Sequence, residues 1–355
     1  MMKKYKRWVI AFLATVAVLF VAMGLLVYVM DPLQYFRPVK FYKPSYSFQT
    51  RLMIPGIIRN CDYEALILGS STAQNSRPTQ VEKLFGSECV KLTPPGASAR
   101  EVSIYFQTAA KRREIKLVIQ GVDFFSYAGA PDRLRTGHPD HLYRMTPSNF
   151  YKYFYDAYTL KKIITKTDWS SVFDSEEYSF DHDRFASYAH RKKPSRAKAI
   201  RSYFNSNYSA SYCGDAYDAE SKVSFRENVV KIIAANPKTK FNLYFSPGSI
   251  LDWLVREKHG DIDKLLAFRL FVAGECQRLD NVELFDFQAD AKITHNFDLY
   301  YDVTHFDQTI SEHIVSSIHS GLYKTDPDKC KQANAELRAQ IEAFKRDVLP
   351  GLKPE

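Results

Sequence analysis

Two short segments far apart in the chain carry residue types that could together perform acyl transfer. An apolar stretch runs into Gly69, Ser70 and Ser71, and much later Asp302 is followed three residues on by His305. A serine at a sharp turn after a strand can act as a nucleophile, and a histidine oriented by a carboxylate can take its proton. The order Ser71, Asp302, His305 therefore suggests nucleophile, orienting carboxylate and base. The Ser71 N–H could face the developing oxyanion.

Spacing alone leaves other assignments open. Ser70 is a rival nucleophile, and a Gly-Ser-Ser sequence taken by itself is more often only a turn. Other histidines near the end of the folded part could replace His305 as the base: His295, His313 and His319. The last two fall within a predicted helix and are better explained as packing or surface residues. His138 and His141 are expected in loops.

Apolar runs alternate with helical patterns over most of the chain, which predicts a parallel sheet covered by helices. Strands are predicted at 64–68, 89–92, 115–120, 241–245 and 282–285. Helices are predicted at 78–85, 98–113, 249–258, 261–279 and between Asp307 and Gly321. The residues that follow strand ends are Ser71, Gly96, Asp123 and Ser246. Functional groups of such sheets lie at the carboxyl ends of the strands, so these residues are expected along one edge.

The first 30 residues differ from the rest of the chain. Four basic residues within the first seven positions precede an uncharged apolar run from Trp8 to Met30. A helix of that length, at about 1.5 Å per residue, covers the roughly 30 Å hydrocarbon core of a bilayer. A cleaved signal sequence is the alternative, but the run is long and lacks a small-residue cleavage site. We therefore expect a single-pass protein of the cytoplasmic (inner) membrane. Basic residues ahead of the span predict that the N-terminus lies on the inner side and that the domain is periplasmic or otherwise extracytoplasmic.

The remaining regions are assigned by composition. Residues 31–60 are rich in Pro, Tyr and Phe and are predicted to run extended over the domain surface. The main domain is predicted to cover 61–325, with an aromatic insertion at 126–227 that forms a helical cap and could also shape a groove for a sugar acceptor. The tail 326–355 has apolar residues at helical spacing, which indicates an amphipathic helix docked on the domain or facing a partner.

Charge and cysteine content limit the function classes. Four of the nine net positive charges lie in the first 30 residues, so the rest of the chain carries +5, which does not call for a nucleic-acid partner. The basic stretch 190–201 is interpreted as a solvated helix face, with contact to anionic lipid or polymer as the alternative. Cys61 and Cys89 precede and open neighbouring predicted strands, so a disulfide between them is reasonable but left open. No zinc-ligand spacing occurs, and no metal or cofactor is expected.

The chain resembles the SGNH (GDSL-type) hydrolase superfamily over about residues 62–323. The first block of that family, Gly-Asp-Ser, corresponds to Gly69, Ser70 and Ser71, and its last block, Asp-x-x-His, to Asp302 and His305. The resemblance implies a three-layer α/β/α fold with a central, parallel, five-stranded sheet of the flavodoxin type. It also implies the nucleophile, orienter and base assigned above.

The same resemblance implies the groups around the oxyanion. Gly96 matches the glycine of the second block, whose N–H donates to the oxyanion. The third block of the family, Gly-x-Asn-Asp, contains a donating asparagine, but this chain has Asp123 there, after Gly121 and Val122. An ionised Asp123 cannot donate and would oppose an oxyanion. Asp123 is therefore expected to point elsewhere, to be held protonated, or to be replaced by another donor.

Within the superfamily the chain is most similar to membrane-anchored proteins of the cell envelope. These are the D-alanyl transfer protein of lipoteichoic acid synthesis and the O-acetyltransferases of alginate and related exopolysaccharides. The similarity implies a serine O-acyltransferase that moves an acetyl or similar group through Ser71 to a hydroxyl of an envelope polymer, beside a multi-span membrane acyltransferase partner. The alternatives are an esterase acting on the same polymers and a non-catalytic assembly or glycan-binding subunit.

Overall fold

The computed structural model describes residues 2–46, 49–144, 146–205 and 219–353. The chain forms two compact units, one of residues 1–61 and 137–181 and the other of residues 62–136 and 182–355. We call them the helical unit and the sheet unit. The segment predicted as one insertion, 126–227, is divided between the two, and its middle part belongs with the N-terminal residues.

Helices make up most of the regular structure. They are α1 (Met2–Met30), α2 (Thr50–Asn60), α3 (Pro78–Phe85), α4 (Ala99–Ala110), α5 (Phe124–Tyr127), α6 (Asp140–Tyr143), α7 (Pro147–Phe154), α8 (Ala157–Lys166), α9 (Arg196–Phe204), α10 (Ala219–Phe225), α11 (Lys231–Ala235), α12 (Ile250–Lys258), α13 (Ile262–Cys276), α14 (Ala291–Thr294), α15 (Gln308–Ser320) and α16 (Pro327–Asp347). Short 3₁₀ turns lie at Ser71–Ala73, Trp169–Phe173, Phe297–Leu299 and Leu349–Gly351, and a π-helical turn lies at Arg226–Val230.

The sheet unit is built on a six-stranded sheet in the order β2-β1-β3-β4-β5-β6. The strands are β1 (Ala65–Leu68), β2 (Cys89–Leu92), β3 (Leu117–Val122), β4 (Lys240–Phe245), β5 (Val282–Asp286) and β6 (Lys324–Thr325). The first five are parallel, as predicted, and β6 pairs antiparallel with β5. The prediction of a five-stranded sheet is wrong by this edge strand, which has only two residues and no apolar pattern to reveal it.

The carboxyl ends of β1, β2 and β3 are aligned at the edge of the sheet where the site forms. β1, β2 and β3 are buried along their whole length, as is usual for strands of a parallel sheet, although β2 contains Lys91 and β3 contains Gln120. Leu68, the last residue of β1, is level with Leu92 of β2 and with Gln120 of β3. The loops that follow these three strands therefore leave the sheet at the same edge.

Local sequence signals fix the flanking helices. The predicted capping box of α4 is present, since the Ser98 hydroxyl accepts from the Glu101 N–H at 3.2 Å and the Glu101 carboxylate accepts from the Ser98 N–H at 2.9 Å. Asp307 caps α15 through the Ile310 N–H at 3.2 Å, and Gly321 ends that helix with φ of +74°. The long tail helix α16 packs against α13, and its buried residues are Cys330, Leu337, Ile341 and Phe344.

The helical unit begins with α1. Its stretch Tyr5–Met30 is, among the described residues, the one helix long and apolar enough to cross a membrane. The prediction of an extended segment at 31–60 is wrong for its last part, because α2 occupies Thr50–Asn60. Pro55 and Gly56 argue against a helix there, but an added Cβ at Gly56 would lie 2.2 Å from the Leu33 carbonyl oxygen. Tight packing against that backbone explains both the glycine and the helix.

The disulfide considered between Cys61 and Cys89 is absent. Cys61 and Cys89 are both thiols, so the bridge that the sequence left open is not formed. The register explains the result, because Cys89 lies opposite Ala65, four residues beyond Cys61. Burial raises the pKa of the Cys89 thiol well above its ordinary value. Cys213 lies outside the described residues.

Candidate active site

The turn after β1 presents Ser71 at the edge of the sheet. Gly69 has φ of +144°, a backbone conformation that residues with a side chain rarely adopt. A Cβ there would lie 3.1 Å from the Ala73 Cβ and 3.5 Å from the Gly121 nitrogen. The glycine therefore allows the turn to pass close to β3, and the following 3₁₀ turn begins at Ser71 itself.

A buried lysine fixes the loop beyond the serine. Lys91, on β2, donates from its ammonium group to the carbonyl oxygens of Gln74 at 2.7 Å and Ser76 at 2.9 Å. It also donates to the carbonyl of Asp183 at 3.2 Å. Because charged donors make the stronger hydrogen bonds, these contacts hold the loop that carries Ser71 in one position on the sheet.

The second predicted segment forms a tight turn between the 3₁₀ turn Phe297–Leu299 and α15. The Tyr301 N–H donates to the His305 carbonyl at 2.8 Å and closes the turn. One Asp302 carboxylate oxygen accepts from the N–H groups of Thr304 and His305, both at 2.8 Å. The carboxylate is thus anchored by the backbone of the turn that it orients.

The structure brings Ser71, Asp302 and His305 into one chain of hydrogen bonds. The His305 Nε2 atom lies 2.8 Å from the Ser71 Oγ, and its Nδ1 atom lies 2.7 Å from the second Asp302 oxygen. Both distances fall within the range of about 2.6–3.2 Å expected for a nucleophile–base–carboxylate relay. With Nδ1–H donating to Asp302, Nε2 is free of its proton and can accept the one on Ser71.

Electrostatics favour a strong base at this position. Burial would lower the pKa of His305, but the hydrogen bond and charge of Asp302, with smaller effects from Asp123 and Asp252, raise it above its ordinary value. For Asp302, burial would raise the pKa, but the bonds from His305 and Thr304 hold it below its ordinary value. Asp302 therefore stays ionised over the range in which His305 titrates.

Asp123 faces the hydroxyls beside the nucleophile. Its two carboxylate oxygens accept from Ser70 at 2.5 Å and from Thr72 at 2.6 Å, and the Thr72 hydroxyl lies 3.1 Å from that of Ser246. These short distances are those of hydroxyls donating to a carboxylate. The sequence left open whether Asp123 points away from the oxyanion, is protonated or is replaced by another donor. In the structure its carboxylate faces the Ser70 and Thr72 hydroxyls. Ser70 is thereby turned toward Asp123, while His305 bonds Ser71.

Gly96 lies in the loop between β2 and α4, with φ of +59°. A Cβ at this position would lie 3.3 Å from the guanidinium of Arg135. The loop is tied to the end of β3, because the Ser126 hydroxyl donates to the Ala97 carbonyl at 2.7 Å. Gly96 is thus at the same edge of the sheet as Ser71, and its role as an oxyanion donor stays a prediction.

Sequence reasoning missed Tyr188. Its ring meets the His305 ring edge-on with centroids 5.5 Å apart. Burial and then the charge of Asp302 raise the pKa of Tyr188, so its phenol keeps its proton. The residue comes from an irregular stretch with no periodicity, which gives no sequence signal beyond being one of many aromatics.

Asn75 was also missed, and it connects the loop of Tyr188 to that of His305. Its Oδ1 accepts from the Ser187 hydroxyl at 3.2 Å and from the Tyr188 N–H at 2.8 Å. Its Nδ2 donates to the Phe306 carbonyl at 2.8 Å. The only available signal was its position four residues after Ser71, and asparagine is common in turns.

Replacing Asn75 with alanine is expected to destabilise the fold by about 2–3 kcal/mol, because it leaves buried partners on two loops unsatisfied. Asn75 positions other groups, so the rate of Ser71 acylation should fall by about 10–100-fold. The loss should appear mainly as a lower maximal rate, with a smaller change in the half-saturating substrate concentration. Denaturant unfolding and single-turnover acylation measure the two effects. Ser187→Ala, which removes one of these bonds, should be much milder, and equal effects would contradict the assigned role.

The other histidines considered as bases are engaged elsewhere. His313 packs edge-on against Phe287 and His319 against Phe85, with ring centroids 6.2 Å and 5.0 Å apart. His295 contacts the Thr294 hydroxyl at 3.1 Å. In the helical unit, His138 precedes α6 as predicted, whereas the loop prediction for His141 is wrong because it lies within α6.

No family model matches this chain, and neither a curated protein nor a solved structure does. The part of the chain that the structure describes holds no cluster of His, Cys, Asp or Glu arranged to bind a metal ion.

Proposed function

We propose that this protein is a serine O-acyltransferase anchored in the cytoplasmic membrane, which transfers an acetyl or similar acyl group to a hydroxyl of a cell-envelope polymer. The observation that carries the proposal is the continuous relay from Ser71 through His305 to Asp302, with 2.8 Å and 2.7 Å between the bonding atoms. Three residues from two segments more than 200 positions apart have no structural need to align in this order.

The chemistry follows from that relay. The Ser71 hydroxyl attacks the carbonyl carbon of an acyl donor while His305 Nε2 takes its proton. His305 then gives the proton to the departing group, which leaves an acyl ester on Ser71. A hydroxyl of the acceptor attacks this ester, again losing its proton to His305, and the collapse restores Ser71. Asp302 stabilises the charged imidazole in both half-reactions and itself remains unprotonated.

The surroundings of Ser71 support the same chemistry. Backbone N–H groups of Ser71 and Gly96 are the proposed oxyanion donors. The negative charge of Asp123 would oppose an oxyanion, but the hydroxyls of Ser70 and Thr72 donate to it and offset part of that charge. We infer that Asp123 orders the nucleophile turn, and that it does not take part in the proton transfers.

The remaining parts of the proposal rest on resemblance. The strand order β2-β1-β3-β4-β5 with parallel strands is the flavodoxin-like order, which supports the proposed SGNH type. The apolar helix α1 supports membrane anchoring. The basic residues that precede it are the reason for proposing that the N-terminus lies inside. A polymer as acceptor and a multi-span membrane acyltransferase as donor partner complete the proposal by analogy with the envelope enzymes named above.

One observation favours an esterase as the second candidate. The His305 side chain is 26% exposed, so water can reach the base that would activate an acceptor. Hydrolysis of the acyl ester would then compete with transfer. Mass analysis of products with and without a polysaccharide acceptor separates the two, because only a transferase makes an acceptor-dependent acylated product.

The decisive experiment is labelling of the purified full-length protein with a serine-directed fluorophosphonate, followed by peptide mapping. The label is expected on Ser71, and Ser71→Ala should abolish it. Ser70→Ala is the matched control, because it alters the adjacent hydroxyl, which donates to Asp123 and not to His305. A folded protein that takes no label, or that is labelled equally in both variants, would instead support a non-catalytic subunit.

A further inference from the structure

The C-terminal end of α1 is packed into the helical unit. Helices α7 and α8 both pack on α1. The ring of Tyr155, between them, stacks on Phe20 with centroids 3.9 Å apart and planes 11° apart. A Cβ at Gly24 would lie 2.7 Å from the Tyr155 hydroxyl oxygen, so a larger residue there would have to displace the Tyr155 side chain. Phe154 meets Tyr28 one turn further on.

The end of the helix is also locked by polar contacts. Asp31 is fully buried, and its carboxylate accepts from the N–H of Tyr35 at 2.9 Å and from the Tyr153 hydroxyl at 2.8 Å. The guanidinium of Arg37 donates to the last carbonyls of α1, at Tyr28 and Val29. These bonds cap the helix and tie it to α7, so α1 and α7 move together.

Helix geometry places these contacts inside the depth of a bilayer. Starting from Trp8, the first residue after the basic cluster, about 20 residues cover the roughly 30 Å hydrocarbon core, which ends near Val27. Phe20 and Gly24 lie before that point. The turn between α7 and α8 that contacts them is therefore at or below the level of the outer headgroups.

The outer surfaces of α7 and α8 fit that location. Tyr151 is 57% exposed and lies four residues before Tyr155, which places both on the same face of the chain. Ile164 on α8 is 64% exposed. Exposed lysines flank both positions, at Lys152 and Lys161. Apolar and aromatic groups beside lysines are typical of helices in the membrane interface.

We propose that the hairpin of α7 and α8 is seated in the outer leaflet of the membrane beside α1, with Tyr151 and Ile164 against lipid and the lysines at anionic headgroups. The occupant of this surface is thus the lipid bilayer that α1 crosses. The inference rests on the proposed membrane anchoring and is independent of the chemistry at Ser71. It makes the anchor a three-helix device that holds the helical unit on the membrane surface.

The test uses the full chain in vesicles of phosphatidylethanolamine and phosphatidylglycerol. The photoreactive residue benzoylphenylalanine replaces Tyr151 or Ile164, and lipid adducts are counted by mass after illumination. Leu19, 64% exposed in the span, is the positive control, and Leu322, 58% exposed in the sheet unit, is the negative control. Thermal unfolding of each variant verifies the fold.

Adducts at Tyr151 and Ile164 are expected at a yield comparable with Leu19 and at least about fivefold above Leu322. Lipid adducts at Leu19 with background yields at Tyr151 and Ile164 would overturn the hairpin proposal and leave the anchor intact. Adducts to a second copy of the chain at those two positions would also overturn it, by assigning the surface to self-association. A background yield at Leu19 itself would defeat the proposed anchoring.

Discussion

Replacement of His305 with glutamine is expected to slow acylation of Ser71 by at least about 10⁴-fold. Glutamine is similar in size and can hydrogen-bond Ser71, but it cannot accept a proton at neutral pH. The rate of label incorporation from a fluorophosphonate or of ester turnover measures the loss. The fold should be retained, because the turn is held by its backbone bond from Tyr301 to the His305 carbonyl.

His313→Gln provides the matched control for that experiment. His313 lies in α15, eight residues further on, and packs edge-on against Phe287 and Tyr323. Its replacement should change the acylation rate by less than about threefold. A large loss in His313→Gln, or a small one in His305→Gln, would show that the base has been assigned to the wrong residue.

The second large effect is expected at Asp302. In Asp302→Asn the carboxamide oxygen can still accept from the backbone of the turn, but its NH₂ group cannot accept the His305 Nδ1–H that now reaches the carboxylate at 2.7 Å. The imidazole then loses the tautomer and orientation that aim Nε2 at Ser71. We expect the maximal rate of Ser71 acylation to fall by about 10³–10⁴-fold, which a single-turnover assay would detect.

The pH profile of acylation gives a readout independent of the rate loss. Neutral His305 is the base, so the rate rises as pH increases through the His305 pKa. Because Asp302 raises that pKa above its ordinary value, the wild-type midpoint should lie above a pH of about 6.5. Asp302→Asn removes the largest effects that raise the His305 pKa, so its midpoint should move to lower pH.

Asp307→Asn is the control for a general effect of lost charge. Asp307 is two residues from His305 and caps α15, and asparagine is an equally good N-cap residue. Its midpoint should stay close to that of the wild type. An equal displacement in both variants, or none in Asp302→Asn, would contradict the role given to Asp302.

Much of the sheet unit could be predicted because its signals are local. β1 to β5 are short apolar runs between helical patterns, and Asp307 and Gly321 mark the ends of one helix directly. The meeting of Ser71 with His305 was also predicted, since Ser71 follows a parallel strand at one known edge and His305 lies between β5 and α15. β6 was not, because two residues at an edge need no apolar alternation.

Other features depend on tertiary contacts that sequence does not display. Whether Asp123 would face an oxyanion or the hydroxyls of Ser70 and Thr72 is decided by side-chain directions in two loops. Tyr188 and Asn75 reach the site from stretches without a pattern. The grouping of residues 137–181 with the N-terminus arises from packing on α1, which a single apolar run cannot foretell.

The buried end of α1 has a practical consequence for handling this protein. Val27, Met30 and Asp31 are core residues of the helical unit. The anchor helix is therefore an integral part of this folded unit and not a removable tether. Removal of residues 1–30 would expose the aromatic rings that pack on the helix and would take away the Tyr28 and Val29 carbonyls to which Arg37 donates. Purification in detergent with the N-terminal helix intact should keep the protein monodisperse, whereas a truncated protein that lacks this helix should aggregate.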